Sequence, residues 1–330
     1  MKTFSKSALA ISVATIALSA SSASFGAEIN LILAHALNET HSAHNAMKEM
    51  ASLINKNSNG RIEVQIFPNG QMGTAAETLE MCMSGDISMV HVGAPQLGTY
   101  DDAYHVFGLP YLFKDKNEYY KVMQSNAMQN FFYSTADKGF VTLNFLSSGD
   151  RNFYTPHKAI KSPADLKGMK IRVQDMKTQI DMIEAMGGTP VAMGYGEVYT
   201  SLQTGVIDGT ENNVLSLTEA NHGEICKVYS MDGHAMIPDA IVMNGYAWKE
   251  LSSDDQKIIR DAATEAMQHQ LIAWDKATDE AIAKAKTMGV EFVTDIDKKP
   301  FIDATESVRV KYAEEYPGVK KMLELIESAK

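Results

Sequence analysis

Apolar positions along this chain keep two rhythms, and the rhythms alternate. Ile29 to Leu33 reads as a strand, and from His41 to Asn57 apolar residues fall at Ala43, Ala46, Met47, Met50, Ala51, Leu53 and Ile54, the spacing of one helix face. Ile62, Val64 and Ile66 alternate as a second strand. After the turn signal Pro68-Asn69-Gly70 a helix is predicted over about 74–83, closing at Ser84-Gly85 and passing into an apolar strand at 87–92. Strand and helix in alternation favour a parallel or mixed sheet with helices on its faces.

The same order returns further along, with a strand at 169–173, a helix at 176–186, Gly187-Gly188, a strand at 189–193, a helix at 197–203 and then Gly205-Val206-Ile207-Asp208. The endings Met83-Ser84-Gly85-Asp86-Ile87 and Gln203-Thr204-Gly205-Val206-Ile207 are alike at a separation of about 120 residues, which suggests two similar lobes. Helix, glycine and strand also meet in this way in unrelated junctions. In the last third, Ser252-Ser253-Asp254-Asp255 is a good start for a helix that continues past Trp274 to about Lys286, longer than an ordinary domain helix and able to brace both lobes. Met288-Gly289 ends it, 290–293 reads as a short strand, and 298–330 as amphipathic helices broken at Pro317. The expected fold class is therefore α/β, with mixed sheets in two lobes. Residues 28–148 plus 238–277 are assigned to the first lobe and 149–237 plus 278–330 to the second.

The N-terminus changes where this fold is expected to work. Met1-Lys2-Thr3-Phe4-Ser5-Lys6 is a short positive region, 8–20 is apolar, and the small residues of 21–27 offer cleavage sites, the pattern of a secretory signal peptide over 1–27. The chain carries 30 basic and 41 acidic residues, net −11; without Lys2 and Lys6 the balance is 28 against 41, or −13. So acidic a chain is a poor partner for nucleic acid or anionic lipid. Two cysteines, Cys82 and Cys226, are too few for a disulfide scaffold, and their apolar surroundings favour buried thiols over a bridge.

Against twenty-five lysines there are only five arginines, and two of them, Arg151 and Arg172, lie twenty-one residues apart in strand-like segments of the middle third. A guanidinium grips a carboxylate through two parallel hydrogen bonds, whereas lysine serves as a point charge, so the pair suggests a held anion. Surface ion pairing with Asp or Glu is the plainer alternative. Catalytic signatures do not compete: there is no G-x-S-x-G, phosphate loop, C-x-x-C or H-E-x-x-H, and Gly194-Tyr195-Gly196 lacks the third glycine of a dinucleotide loop because Tyr199 stands there. His35, His41 and His44 cluster in sequence, yet no ligand-spaced carboxylate pair accompanies them, so no metal and no cofactor is expected.

Four motifs in order then carry a resemblance: Phe67-Pro68-Asn69-Gly70-Gln71-Met72-Gly73; Gly108-Leu109-Pro110-Tyr111-Leu112-Phe113; Asp165-Leu166-Lys167-Gly168-Met169-Lys170-Ile171-Arg172-Val173; and 197–212, from Glu197-Val198-Tyr199 to Gly209-Thr210-Glu211-Asn212. Together they closely resemble the solute-binding subunits of tripartite ATP-independent periplasmic (TRAP) transporters, over essentially all of the chain after the signal peptide. The resemblance implies a periplasmic, monomeric binding protein of two lobes that closes on an organic acid. The acid passes to the membrane subunits of an ion-gradient-driven TRAP permease, with no catalysis and no ATP. It implies that Arg172 makes the principal bidentate contact with the ligand carboxylate, that Arg151 assists, that Asn212 is the ligand-binding asparagine and that Tyr195 packs on the ligand.

These groups all belong to the second lobe, so contacts that read the rest of the ligand are expected from the first. The candidates are His35 and Asn38 after the first strand, Glu77 on the following helix, and His91 at the end of its strand, with Asn213 beside Asn212 as a further donor or a turn cap. Glu77 and Glu211 are also the only candidates for a general base, were the cleft to belong to an enzyme. The segment from His35 to His41, with Glu77, 148–154 and Glu211-Asn212-Asn213, looks most similar to sugar-acid (hexuronate) binding members. Asp150 beside Arg151 and Met193-Gly194-Tyr195 depart from them and leave C4-dicarboxylates and sialic acid open. Hinges are expected near 147–148 and 236–238.

Overall fold

The computed structural model describes residues 27–330. The signal peptide expected over 1–27 thus lies outside the described residues but for Ala27. Strands β1 (Ile29–Ala34), β2 (Ile62–Phe67), β3 (Met89–Gly93), β4 (Phe140–Leu146), β5 (Arg151–Thr155), β6 (Lys170–Val173), β7 (Thr189–Ala192), β8 (Gly209–Asn212), β9 (Val228–Ala235), β10 (Asp239–Asn244) and β11 (Glu291–Val293) form two sheets. Helices α1 (Ser42–Asn57), α2 (Ala75–Ser84), α3 (Lys116–Met123), α4 (Asn126–Tyr133), α5 (Lys177–Ala185), α6 (Val198–Gln203), α7 (Leu215–Glu219), α8 (Gly245–Glu250), α9 (Ser253–Thr287), α10 (Lys299–Glu315) and α11 (Pro317–Ala329) pack around them.

The first sheet runs β2-β1-β3-β10-β4, with β1 parallel to β2 and β3 and with β10 antiparallel to β3 and β4. The second runs β11-β9-β5-β8-β6-β7, with β6 parallel to β7 and β8 and with β5 antiparallel to β8 and β9. The expected mixed sheets in two lobes are both present. Strands β3, β10 and β4 are almost wholly buried beneath helices and read as apolar runs, whereas β1 and β2 keep exposed or half-buried positions.

Two short segments carry the chain between lobes, 147–150 from β4 to β5 and 236–238 from β9 to β10. They are tied to each other by Ser148, whose hydroxyl donates to the Ile237 carbonyl at 2.6 Å. They are tied to α9 by Gln270, which accepts from the Ser147 N–H and donates to the Ser147 carbonyl, both at 2.9 Å. At 35 residues, α9 extends about 50 Å. Ile259, Ala262, Ala266 and Met267 of α9 enter the core of the first lobe, while Trp274, Ala281 and Ala285 enter the core of the second. Ser252 caps its start by accepting from the Asp255 N–H at 3.1 Å. The brace inferred from its length is therefore real.

The C-terminal assignment needs correction. Phe301 at the start of α10 is in the second lobe's core, but Val308 and Tyr312 further along it, and Val319, Met322 and Ile326 of α11, are in the first lobe's core. Residues 278–330 do not stay in the second lobe, because the apolar stripe of α11 fits the surface beside the segment 102–108, where the Gly318 N–H donates to Asp102 at 3.0 Å. Cys82 and Cys226 are buried free thiols, and burial pushes both up to about 12.

Gly149 in the first crossing has φ +64°, and a Cβ there would come within 2.8 Å of the Trp274 indole nitrogen. Gly149→Ala is expected to cost about 1–3 kcal/mol of stability, since it meets both a backbone and a packing penalty. Urea denaturation measures this, and an unchanged midpoint would show that the crossing yields freely.

Candidate functional site

Arg151 begins β5, while Arg172 and Asn212 lie near the C-terminal ends of β6 and β8. The antiparallel register of β5 with β8 (Asn152 opposite Asn212) and the parallel register of β6 with β8 (Arg172 opposite Thr210) bring all three to one edge of the second sheet. Ligands in α/β sheets sit at this edge because strands end there and loops diverge.

The two guanidiniums are occupied very differently. Arg151 donates from Nε and Nη2 to the two Glu211 carboxylate oxygens at 2.6 and 2.7 Å, from Nη2 to the Glu211 carbonyl at 3.0 Å, and from Nη1 to Asn212 Oδ1 at 2.9 Å. Glu211 in turn faces His234 Nε2 at 3.2 Å, and His234 Nδ1 lies 2.7 Å from Asp232. Burial alone would raise the Glu211 carboxyl, but Arg151 and His234 outweigh it and hold the group down to about 2. Burial opposes charge on His234 too, yet Asp232 and Glu211 raise it to about 9. The chain Arg151, Glu211, His234, Asp232 thus alternates in sign and sums to zero, with all four residues buried.

Arg172 has no such partner. It is 2% exposed, and its Nε and Nη2 donate only to the Met193 carbonyl, at 3.2 and 2.8 Å. Among the described residues no carboxylate comes within ion-pairing distance of it. Burial pulls its pKa down, with Glu211 opposing and Arg151 adding to the effect. It remains charged, as guanidinium does in proteins. Asn212 uses its amide oxygen on Arg151 and on the Asn213 N–H at 2.8 Å, which leaves its NH2 for the cavity. The Tyr195 hydroxyl donates to Ser216 at 3.3 Å, and its ring lies 5.8 Å from that of His222, a group that burial and Arg172 push down to about 3 and so keep neutral.

Arg151, Arg172, Tyr195, Asn212, Asn213 and His91 all line one cavity of about 80 Å³ between the lobes. It adjoins a second of about 180 Å³ through the shared residues Arg172, Gln174, Tyr195 and Gln96. Asn213 also makes the turn foreseen for it, accepting from the Leu215 N–H at 3.1 Å. A larger cavity, about 470 Å³, lies beside α9 and lacks Arg172; Asp150, Asp275 and Asp279 line it, and its Lys116 is paired with Asp275 at 2.8 Å. Such a cleft repels anions, so the smaller cavity, which holds Arg172, is the candidate site. Asp150 faces that acidic cleft, and the carboxylate that engages Arg151 is Glu211.

Three expected contacts from the first lobe do not reach the cavity. His35 accepts the Leu37 N–H on Nδ1 at 3.2 Å and meets His44 at 2.9 Å through Nε2, so both ring nitrogens are used within its own lobe. Burial and the neighbouring histidines push it down to about 3. Nor do these histidines converge on a metal site among the described residues. Asn38 donates to the Glu219 carbonyl at 3.0 Å, a link between lobes rather than a ligand contact. Glu77 is exposed and caps its own helix, accepting from the Thr74 N–H at 2.8 Å.

Other lining residues were not among the expected ligand contacts: His41, noted in the histidine cluster and the 35–41 segment, and Gln96, Gln174, Ser216 and Asp239. Gln174 was legible, since it follows Arg172 by two positions and extended chain sends both to one face. Asp239 carried no signal, because only the second crossing brings it to the cavity.

A family model described as bacterial extracellular solute-binding protein, family 7, matches residues 33–315. The protein YiiZ of Salmonella typhimurium is 37% identical over 313 residues, covering 94% of this chain and 93% of that one. A TRAP periplasmic solute-binding protein of Anaerococcus prevotii, solved with bound α/β-D-glucuronate, superposes with a TM-score of 0.87 at 33% identity, covering 91% of this chain and 98% of that one. One from Xanthobacter autotrophicus with bound β-D-galacturonate superposes with a TM-score of 0.87 at 31% identity, covering 91% and 100%.

The buried chain of charges gives stability a definite pH dependence. Glu211, depressed to about 2, contributes fully above the ordinary carboxylate pKa near 4.3 and loses that contribution as pH falls through its folded value. His234, raised to about 9, contributes fully below about 6.5 and loses it as pH rises through its folded value. Thermal midpoints are expected to fall between about pH 6.5 and 9, and His234→Gln to lower the midpoint overall while flattening that limb. Parallel pH profiles for the two proteins would contradict the role of His234.

Proposed function

The chain belongs to family 7 of the bacterial extracellular solute-binding proteins, and from that premise we propose that it is the periplasmic receptor of a TRAP transporter. It captures a hexuronate such as D-glucuronate or D-galacturonate as a monomer and delivers it to the membrane permease. The observation that carries this reading is Arg172, a buried cation with one carbonyl for company. A carboxylate leaves water only where fixed donors replace its hydration, and the free N–H groups of Arg172, with the Asn212 NH2 and Tyr195 beside them, form such a set. The neutral chain from Arg151 to Asp232 holds Asn212 in place without competing for the ligand's charge.

Closure supplies the rest of the affinity. The lobes meet through the Asn38 to Glu219 bond and through Gln179 Nε2, which donates to the Gly108 carbonyl at 3.1 Å. Rotation about the crossings at 147–150 and 236–238 would open the cavity, since no sheet hydrogen bonds join the two lobes. Release to a permease requires only that this rotation be favoured, and no bond of the ligand is broken. Neither carboxylate singled out as a general base is placed for that role: Glu211 is held near 2 by Arg151 and His234, and Glu77 caps a helix away from the cavity. The relatives solved with D-glucuronate and β-D-galacturonate support a uronate as ligand. No helix among the described residues is long and apolar enough to cross a membrane, which accords with an exported receptor that meets its permease from outside the bilayer.

Thermal shift against D-glucuronate, D-galacturonate, C4-dicarboxylates, sialic acid and zinc tests the reading. A uronate at about one hundred times its Kd is expected to add about 2.7 kcal/mol of stability. Arg172→Ala should abolish that gain, and Arg172→Lys should weaken binding by more than about tenfold, because the planar fork is lost. A shift with zinc alone, or with none of the acids, would refute it.

A further inference from the structure

Arg172 lines the cavity from the second lobe, and the first lobe brings a charge of the opposite sign to it. Asp239 opens β10 directly after the second crossing, pairs with Gly93 of β3, and lines the cavity with its side chain 14% exposed. Its carboxylate oxygens receive no hydrogen bond from any described residue. His91 Nε2 stands 3.4 Å from one of them but is not aligned to donate, and that nitrogen is itself buried without a partner. On the facing lobe Gln174 Oε1 is likewise buried and unpartnered. The cavity thus holds one cation lacking an anion and, in Asp239 and Gln174 Oε1, oxygen acceptors that receive no hydrogen bond from the described residues.

We propose that Asp239 is a charge filter that restricts this site to acids with a single carboxylate and several hydroxyls, and excludes dicarboxylates. The inference rests on the reading of Arg172 as the carboxylate anchor. With the ligand's carboxylate on Arg172, its hydroxyls donate to Asp239 and to Gln174 Oε1, which satisfies both acceptors through strong O–H to carboxylate and amide bonds. A diacid anchored in the same way directs a second carboxylate toward the first lobe, where Asp239 stands. Two anions then face each other out of water with only the His91 ring beside them, a juxtaposition that disfavours the diacid. The repulsive element is as much a part of specificity as the attractive one. His91 orients the filter, since its ring limits where the Asp239 carboxylate can swing.

Titration calorimetry with matched ligands separates the filter from the anchor. D-glucarate carries the hydroxyl chain of D-glucuronate ended by a second carboxylate, galactarate stands in the same relation to D-galacturonate, and succinate is a diacid without hydroxyls. Wild type is expected to prefer each uronate over its diacid by roughly 100-fold. Asp239→Asn should narrow that ratio at least about tenfold, chiefly by improving the diacid, while Arg172→Ala weakens mono- and diacids alike. Asp239→Ser, with circular dichroism and melting as folding controls, gives the same ratio test should the asparagine variant fold poorly. If uronates bind but the ratio is unchanged in both variants, or if wild type takes glucarate or succinate as tightly as a uronate, the filter is wrong and the receptor reading stands. If wild type binds none of these acids, the receptor reading fails and the filter with it.

Discussion

A guanidinium taken out of water loses its hydration and recovers it only from oxygens arranged around its five donors. In this fold two are buried within one sheet edge, and the second lobe is organised around treating them differently. Glu211 neutralises Arg151, His234 supports Glu211, and Asp232 supports His234, so a line of four buried charges closes on itself. Buried ion pairs of this kind stabilise modestly at best but break at high cost, which makes the line a rigid wall rather than a store of affinity. Arg172, left with one carbonyl, keeps its charge for something that arrives from outside. Had Glu211 reached Arg172 instead, the cavity would be neutral there and would have no reason to take an acid.

The scaffold serves that asymmetry. Each lobe has its own sheet and core, and two short crossings, one long helix and the C-terminal helices join them. Gln270 binds the first crossing at both its amide ends, so motion between lobes pivots close to α9 instead of spreading through the cores. The C-terminal helices pass from the second lobe's core back onto the first, a further tether whose residues do not line the cavity. A ligand between the lobes then contributes contacts to both at once, and closure is the event that removes it from water.

Much of the binding edge was legible in the residues themselves. Arg151, Arg172, Asn212 and Tyr195 stand in ordered motifs of the second lobe, and all four line the cavity. In the first lobe His91 lines the cavity, but Glu77, His35 and Asn38 do not. Nearby backbone N–H groups and a neighbouring ring take Glu77 and His35, and Asn38 is drawn to the Glu219 carbonyl of the other lobe. Asp239 and Gln96 belong to segments without periodicity, so nothing in their neighbours announced that they line the cavity.

Hydrophobic periodicity, the turn residues and the motifs determined, from the chain alone, the alternation of strands and helices, the two lobes and the long brace, because those depend on neighbours a few positions away. Which carboxylate would occupy which arginine was decided only in three dimensions. Glu211 lies 60 residues from Arg151 in sequence and is brought to it by the antiparallel register of β5 and β8. Asp239 meets the cavity only because the chain returns to the first sheet beside β3. Charge pairing acts through space over a few ångströms, and a linear order of residues does not contain that distance until the sheets have formed.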